Sequence, residues 1–373
     1  MSADHVDWAG HERSRYLRLI PRLVVVAALV IAGVVVPLVL RANSGRSDIA
    51  SASGPSLESP GDLAVAPDGT IFVAEPHRDE ILVRYTDGRL AVWAGDGKRG
   101  NTGDGGPATN AEITSPKALA LSPDGTLYFQ SGTSIRAVAD NGVISTVAGA
   151  GTIPPDRITD GLRARRAAFT TETGLAVSPK GILYVSPQSA RAVFKLQRGR
   201  LLSVVRASEL ARVEPRSAYY LGPVGIAFDT AGDLFFYTAH PWTVVVRTPS
   251  GTLIFVHSFR AFTETDTNVF APGLHHVLFA ASVSSLVGFS PSVPSRRSHE
   301  AEIRIVVKFG PTGHLFPGQE YFMPNGIGVT SRGDIILDGE LVDRGGSRGT
   351  AVLVEVTPDG HLRQLTTPHS PGF

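Results

Sequence analysis

Short apolar segments with a period of two recur along most of the chain. Each opens with a large residue, a small one and another large one, at positions 63–65, 119–121, 175–177, 226–228 and 327–329. Because successive side chains of a strand point to opposite faces, this alternation predicts β-strands. The large side chains can pack on one neighbouring sheet while Ala or Gly allows a close approach on the other, as strands crowded around a common axis require.

These segments belong to a unit that occurs six times, at intervals of 49 to 56 residues. The units begin at Pro60, Pro116, Glu172, Pro223, Pro272 and Pro324. Turn glycines separate the predicted strands, first at Gly69, Gly125, Gly181, Gly232 and Gly333, and again at Gly88, Gly142, Gly199, Gly251, Gly313 and Gly360. Four antiparallel strands in each unit predict an all-β, six-bladed β-propeller. A two-sheet sandwich does not explain the period, and a β-solenoid needs repeats about half as long.

A continuous apolar segment, residues 23–40, precedes the repeats. As a helix, 18 residues rise about 27 Å, close to the apolar thickness of a bilayer. The arginines ahead of it are denser than those after it, which places residues 1–22 in the cytoplasm as a short tail. We therefore expect a single transmembrane helix, acting as a signal-anchor, with the remaining chain outside the cell membrane.

The rest of the chain then divides into three parts. Residues 41–58 are rich in Ser, Gly and Ala and form a flexible linker, residues 59–366 form the propeller, and residues 367–373 form a C-terminal tail. The alternative to an anchor is a cleaved secretory signal, indicated by the A-x-A pattern at residues 50–52. Either reading places the propeller outside the cytoplasm, and cleavage would make it a secreted protein.

The amino-acid composition excludes several classes of partner and of chemical site. The chain of 373 residues is 42% hydrophobic, with 40 glycines and 26 prolines, which suits a large core built from short strands and turns. Its formal charge of +1 gives no overall attraction to nucleic acid, so we expect no nucleic-acid partner. Cysteine is absent, which excludes disulfides, thiolate metal sites and cysteine nucleophiles.

Residues 94–129, AGDGKRGNTGDGGPATNAEITSPKALALSPDGTLYF, resemble the NHL repeat, especially its bacterial form with a GDGGPA loop. The resemblance covers about residues 59–366 and implies a six-bladed propeller, although the third to fifth units depart from the usual wording. The usual Asp of the second strand is Glu75 in the first unit. At the equivalent positions the sequence has Ser131, Pro187, Thr238 and Gly339.

The loop at residues 103–111, GDGGPATNA, recurs 56 residues later in degraded form, with Asp104 matching Asp160. A loop that repeats with the blade indicates a structural role, in which Asp104 caps nearby backbone N–H groups. Contact with a cation or a ligand is the alternative.

The long connections between blades, and between second and third strands, are expected on one face, opposite the glycine turns. This face, around the mouth of the central channel, is the predicted site, because binding residues usually lie on loops held by a rigid scaffold. The ligand-binding candidates on it are His77, Arg78, His240, Trp242, Arg296 and Arg297. Solvated loop residues are the alternative interpretation of this set.

The fifth unit contains the main anomaly. Alignment on Pro272 places His275 and His276 where the other units have Leu, Ile, Ala or Gly. Imidazole can ligate a divalent cation, so these two histidines are the metal-site candidates, and a divalent cation is the only cofactor that the sequence suggests. The alternative is a diverged blade whose histidines are satisfied by hydrogen bonds.

Three functional hypotheses follow. The leading one is a membrane-anchored, extracytoplasmic scaffold or binding module, not an enzyme, that takes a protein, peptide or cell-envelope glycan on the long-connection face. The second is a metal-dependent lactonase or lyase, since similar six-bladed propellers can hold a divalent cation on their axis; no catalytic residue is singled out. The third is the sensory half of a signalling system, because NHL propellers can be attached to membrane kinases.

Overall fold

The alternating segments form antiparallel sheets. The computed structural model describes residues 55–169, 173–206, 208–209, 223–238, 243–256, 269–272, 278–281, 285–290, 302–308, 321–342, 349–357 and 362–366. All of these residues fall in one unit, Gly54–Phe373. Their strands make six sheets, which we number in chain order.

Sheets 1 to 3 come from the first three repeats. Sheet 1 contains β1 (Asp62–Val65), β2 (Ile71–Glu75), β3 (Glu80–Arg84) and β4 (Leu90–Ala94). Sheet 2 contains β5 (Lys117–Leu121), β6 (Leu127–Ser131), β7 (Ser134–Val138) and β8 (Ile144–Gly149). Sheet 3 contains β9 (Leu162–Arg163), β10 (Thr173–Val177), β11 (Leu183–Pro187), β12 (Ala192–Gln197) and β13 (Arg200–Arg206). We did not predict β9, which pairs with β13 and makes this sheet five-stranded.

Sheets 4 to 6 repeat the four-stranded order. Sheet 4 contains β14 (Pro223–Phe228), β15 (Leu234–Thr238), β16 (Thr243–Arg247) and β17 (Leu253–Val256). Sheet 5 contains β18 (Val269–Pro272), β19 (Leu278–Ala281), β20 (Ser285–Ser290) and β21 (Glu302–Lys308). Sheet 6 contains β22 (Tyr321–Val329), β23 (Ile335–Val342), β24 (Gly349–Val356) and β25 (Leu362–Gln364). Four short 3₁₀ helices lie in connections: η1 (Ala108–Asn110), η2 (Pro155–Arg157), η3 (Ala164–Arg166) and η4 (Gln188–Ala190).

The first strands of the sheets contact one another in cyclic order. β1 contacts β5, β5 contacts β10, and the series continues through β14, β18 and β22 back to β1. Sheets arranged radially in this way leave few strand edges exposed. The prediction of an all-β β-propeller is therefore confirmed.

The large-small alternation packs the sheets as expected. Leu63 of β1 packs with Ile336 and Leu353 of sheet 6, while the next residue, Ala64, packs with Leu119 of sheet 2. The pattern repeats one sheet further on, where Leu119 faces sheet 1 and Ala120 packs in the cluster shared with sheet 3. Apolar side chains buried between neighbouring sheets thus form the core.

The hairpin turns use glycine as the sequence predicts. Gly69 has a φ of +94° and donates its N–H to the Ala66 carbonyl at 2.9 Å, while Asp68 Oδ1 accepts the N–H of Thr70 at 2.9 Å. The turn glycine is thus a left-handed residue that closes a short hairpin loop. The described equivalents, Gly88, Gly125, Gly142, Gly181, Gly199, Gly232, Gly251 and Gly333, also have positive φ.

The predicted transmembrane segment at residues 23–40 lies outside the described residues, as do the tail and most of the linker that flank it. In the part of the chain that the structure describes, no helix is both long and apolar enough to cross a bilayer.

Candidate functional site

A cluster of three carboxylates lies where sheet 6 meets sheet 1. Asp62 begins β1, Glu75 ends β2 and Asp338 lies within β23. The two sheets approach closely here, and Asn325 Nδ2 donates to the Pro60 carbonyl across the interface at 2.7 Å. We call Asp62, Glu75 and Asp338 the carboxylate cluster.

Gly326 of β22 makes room for this cluster. A Cβ atom added at Gly326 would overlap Asp338 Oδ1 and would lie 2.8 Å from the backbone nitrogen of Leu63 and 3.1 Å from the Cα of Asp62. Real Cβ atoms do not approach other atoms so closely, so the interface requires glycine. The Asp338 carboxylate is therefore directed at the junction with Asp62.

Asp62 departs from the repeat, because the equivalent positions in sheets 2, 3, 4 and 6 hold Ala118, Gly174, Gly225 and Gly326, and the one in sheet 5 holds the apolar Val269. Its Oδ1 accepts the N–H of Leu63 at 2.8 Å, and its Oδ2 accepts the N–H of Leu119 in sheet 2 at 2.7 Å. A β-bulge in β5, where Ala118 has a φ of +53°, interrupts the pairing with β6 and leaves the Leu119 N–H for this contact. Asp62 therefore ties sheet 1 to sheet 2.

Asp338 has no such partners. Its side chain is fully buried, and neither carboxylate oxygen has a hydrogen-bond partner among the described residues. Burial raises the pKa of Asp338 well above its ordinary value, and the nearby Asp62 and Glu75 raise it further. The peptide groups of Asp338 and Gly326 oppose this rise only in part.

The pKa values of Asp62 and Glu75 are raised as well. Burial raises the pKa of Asp62 from 3.8 to about 7, against the effect of its two backbone hydrogen bonds. Part of the Asp62 residue still contacts solvent, but its carboxylate is enclosed by protein. Burial also raises the pKa of Glu75, partly offset by the N–H groups of Ser59 and Glu58. The cluster can therefore hold a proton near neutral pH.

Glu75 also has a structural role that its repeat equivalent shares. Its Oε1 accepts the N–H of Glu58 at 3.1 Å and its Oε2 accepts the N–H of Ser59 at 2.9 Å. One repeat later, Ser131 Oγ accepts the N–H of Thr114 at 2.9 Å. The side chain at this position thus anchors the segment that leads into the first strand of its own sheet.

Two of the predicted ligand-binding residues lie beside the cluster. His77 and Arg78 are in the connection from β2 to β3, directly after Glu75, and His77 is exposed. Arg78 forms ion pairs with Glu58 at 3.0 Å and Glu80 at 2.9 Å. The structure therefore places these two side chains at the same end of sheet 1 as the carboxylates.

The remaining candidates cannot be located. His240, Trp242, Arg296, Arg297, His275 and His276 all lie outside the described residues. In the described ranges, no group of three or more His, Asp or Glu side chains is placed to hold a metal ion. Sequence reasoning missed Asp62 and Asp338, although an acidic residue where four other units have Ala or Gly is a signal that could have identified Asp62.

The GDGGPA loop is held by an ion pair between the partly exposed Asp104 and the buried Arg136. Asp104 accepts hydrogen bonds from Arg136 Nη2 at 2.7 Å and from the N–H and hydroxyl of Thr146 at 3.0 and 3.1 Å. Burial alone would raise the pKa of Asp104, but the hydrogen bonds from Arg136 and Thr146 outweigh it and lower the pKa. Arg136 Nη1 also donates to the Glu112 carbonyl at 2.9 Å. Asp104 therefore caps a backbone N–H, the role that the repeated loop predicts.

Asp160 repeats this arrangement in sheet 3. Its Oδ1 accepts the N–H of Ser203 at 2.7 Å, and its Oδ2 lies 3.5 Å from Arg206 Nη2. The two arginines differ in their exposure to solvent: the Arg206 side chain is 51% exposed, whereas that of Arg136 is 0% exposed.

Comparison with known proteins confirms the resemblance to NHL-repeat β-propellers. The family model of the teneurin NHL domain matches residues 91–157. Teneurin-m of Drosophila melanogaster is 36% identical over an alignment of 101 residues that covers 23% of this chain and 4% of that protein. Teneurin-4 of Mus musculus is 49% identical over 47 residues, 13% of this chain and 2% of that protein. The matched segment thus spans only a small part of these relatives.

Solved structures show a similar fold. A protein described as a candidate gluconolactonase has a TM-score of 0.50 at 12% identity, covering 84% of this chain and 92% of its own. Virginiamycin B lyase from Staphylococcus aureus has a TM-score of 0.48 at 13% identity, covering 82% of this chain and 83% of its own. At such low identity the likeness concerns the fold alone.

The raised pKa values predict that the propeller is more stable in mild acid than in mild base. A carboxyl group with a higher pKa in the folded state stabilises the fold at low pH and loses that contribution as the pH rises through the folded pKa. For Asp62 the window runs from about pH 4 to about pH 7. The thermal unfolding midpoint of the full chain should therefore decrease as the pH is raised from 5 to 8. The corresponding loss in the free energy of unfolding should be on the order of a few kcal/mol.

Asp338→Asn tests the cause of this pH dependence. Removing one buried charge should raise the unfolding midpoint at pH 8 and reduce the difference between pH 5 and pH 8. Asp87→Asn, in the exposed turn between β3 and β4, is the matched control and should change neither. A wild-type midpoint that does not depend on pH, or a D338N midpoint that is lower at pH 8, would contradict a cluster of repelling carboxylates.

Replacing Asp104 by Ala should destabilise the propeller, because the buried guanidinium of Arg136 loses its anion. We expect the free energy of unfolding in urea to fall by about 2–3 kcal/mol, at or below the usual range for broken buried pairs because Asp104 is partly solvated. Asp160→Ala should cost less than about 1 kcal/mol, since Arg206 remains hydrated. Equal losses in the two variants would show that burial of Arg136 does not matter.

Proposed function

We propose that this chain is a membrane-anchored, extracytoplasmic, six-bladed NHL-repeat propeller that binds a protein, peptide or cell-envelope glycan. The six sheets and the cyclic contacts between their first strands support six blades. The apolar segment at residues 23–40 supports the anchor. The binding surface is the face that carries the β2–β3 connection and the connections between sheets.

The observation that carries the proposal is the set of hydrogen bonds that holds the connection between sheets 1 and 2. The buried Arg136 guanidinium donates to the carbonyls of Thr102 and Glu112, at 2.8 and 2.9 Å, and to Asp104. The connection is thereby held at three points along its length, and its charged residues Lys98 and Arg99 are exposed. Because a surface that is already ordered loses less entropy on binding, such a loop is suited to recognition.

The segment matched by the teneurin NHL domain, residues 91–157, contains this whole connection. The connection from β2 to β3, with the exposed His77, lies at the same end of sheet 1 as the start of β1. These two connections form the part of the proposed surface that the structure describes.

Site-specific photo-crosslinking in membranes tests the proposal. A photoreactive amino acid at position 77, on the proposed face, should give a discrete adduct larger than the chain. The same probe at position 87, in the exposed β3–β4 turn at the other end of the strands, is the matched control and should give none. Adducts from position 87 alone, or from neither position, would refute binding through the long-connection face.

A metal-dependent lactonase or lyase is the second candidate function. One observation favours it: Asp338 is buried beside Asp62 and Glu75 with no hydrogen-bond partner among the described residues. Carboxylate oxygens suit hard divalent cations such as Ca²⁺. The described carboxylates alone do not form a metal-holding group, so this candidate also requires a ligand from outside the described residues, where His275 and His276 lie.

Calorimetric titration of the full chain with Ca²⁺ and with Zn²⁺ tests this candidate. A metal enzyme should bind one of these ions. The single variant Asp338→Asn and the double variant His275→Ala with His276→Ala should each weaken that binding at least about tenfold. Asp87→Asn should bind as the wild type does. Absence of saturable binding at pH 8, where the carboxylates are ionised, would eliminate this function and leave the binding module untouched.

A further inference from the structure

Sheet 3 and the connection that precedes it carry a positive charge that the rest of the chain does not share. Residues 150–206 contain eight arginines and two lysines against three acidic residues, whereas the whole chain has a net charge of +1. All eight arginines are exposed. Such a local excess is a surface property, because a folded core does not require it.

Two of these arginines face each other on paired strands. β9 pairs antiparallel with β13 at the outer edge of sheet 3, which places Arg163 directly opposite Arg200. Arg200 Nη1 donates to the Gly161 carbonyl at 2.7 Å. Neither guanidinium has an ion pair with an acidic residue in the described part of the chain. Like charges directly opposite on neighbouring strands are destabilising, so this pair opposes folding.

Sheet 2 shows that the backbone does not need this pair. At the equivalent place Pro107 forms a bridge with Val143, and the Ala108 N–H donates to the Gly142 carbonyl at 2.9 Å. In sheet 3 the Ala164 N–H donates to the Gly199 carbonyl at the same distance. Pro107 has φ −60° and ψ 132°, and Arg163 has φ −60° and ψ 122°. The same local structure therefore forms with no charge at either position.

Two more exposed arginines flank the pair. Arg166 belongs to η3, which follows β9, and Arg198 precedes Gly199 in the turn between β12 and β13. The hydrogen bond between Ala164 and Gly199 holds these two segments together. In the described structure Arg165 and Arg206 have carboxylate partners, Asp104 and Asp160, whereas Arg166 and Arg198 form no ion pair. We call Arg163, Arg166, Arg198 and Arg200 the arginine edge.

We propose that the arginine edge is a binding surface for an extended acidic polysaccharide. Guanidinium groups pair with carboxylate and sulfate groups through two parallel hydrogen bonds, and a polymer with repeated anions can engage several of them at once. An anion between Arg163 and Arg200 would also relieve the repulsion between them. Arg163 and Arg166 belong to the connection between sheets 2 and 3, but here it runs along the outer edge of sheet 3 beside the Gly199 turn, at the opposite end of the strands from the β2–β3 type of connection.

Single-stranded nucleic acid is a poorer fit to this edge. Proteins that bind it without sequence preference combine a basic groove with aromatic side chains on which the bases stack. The aromatic residues described between positions 150 and 206 are Phe169 and Phe194, which are buried, and Tyr184, which is half-buried against Phe228. The arginine edge therefore offers contacts to anions and none to bases.

The test copies the residues of sheet 2 into sheet 3. Arg163→Pro with Arg200→Val should fold normally, because Pro107 adopts the same φ, and its thermal midpoint should equal or exceed that of the wild type. The probes are heparin and polygalacturonate, titrated against the full chain at low ionic strength. Loss of two cationic contacts should weaken binding of at least one of them about fivefold, and added salt should weaken wild-type binding.

A second double variant, with the same loss of net charge, distinguishes an effect of the arginine edge from an effect of net charge alone. Arg89→Gln with Arg332→Gln removes two exposed arginines from sheets 1 and 6 and should leave binding within about twofold of wild type. No binding of either polysaccharide by the wild type, or equal losses in the two double variants, would overturn the proposal. Tighter binding of an oligodeoxythymidine than of both polysaccharides would assign the edge to nucleic acid and would also overturn it. Crosslinking at position 77 is unaffected by any of these outcomes.

Discussion

The fold depends on the close approach of the first strands around one axis. At the junction of sheets 6 and 1, a Cβ on Gly326 would lie 2.8 Å from the Leu63 nitrogen. Two residues further on, a Cβ on Gly328 would lie 2.5 Å from Val65 Cγ2 and 2.7 Å from Leu63 Cδ1. Only glycine fits at these two positions of β22, and the same close approach explains the small residue between two large ones in the other first strands.

Because the strands approach so closely, the carboxylate cluster destabilises the fold. An acidic side chain placed where the strands crowd together loses water, and Asp338 receives no hydrogen bond from the described residues in return. Asp62 has more hydrogen-bond donors, because its carboxylate accepts N–H groups from two sheets. Buried charges without compensation destabilise proteins and are concentrated at functional sites, so the cluster is the part of the axis where a function beyond packing is best sought.

The repeat made most of the fold predictable and left the site largely hidden. Period-two alternation and turn glycines are local signals, and they located the first strands and the hairpins, for example at Gly69. The strand β9 gives no such signal, because it has two residues and is defined by its pairing with β13. Asp62 and Asp338 come from the first and last units, and their proximity arises only when the ring of sheets closes. In the fifth unit the predicted register is wrong, because Pro272 ends β18 and pairs with Leu278 as Val65 pairs with Ile71, so His275 and His276 do not take first-strand positions. Their role in binding a metal stays a prediction.

Copies of one backbone provide an internal reference for deciding which residues the fold needs. Glu75 and Ser131 differ in charge but accept N–H groups at the same place, so this position is explained by its hydrogen bond. Residue 163 is different, because Pro107 provides the same backbone conformation in sheet 2. Where one copy carries a charge that another copy dispenses with, folding does not account for the charge. Asp62 is intermediate between these cases, because uncharged residues replace it in the other described sheets, whereas its own carboxylate accepts N–H groups from two sheets.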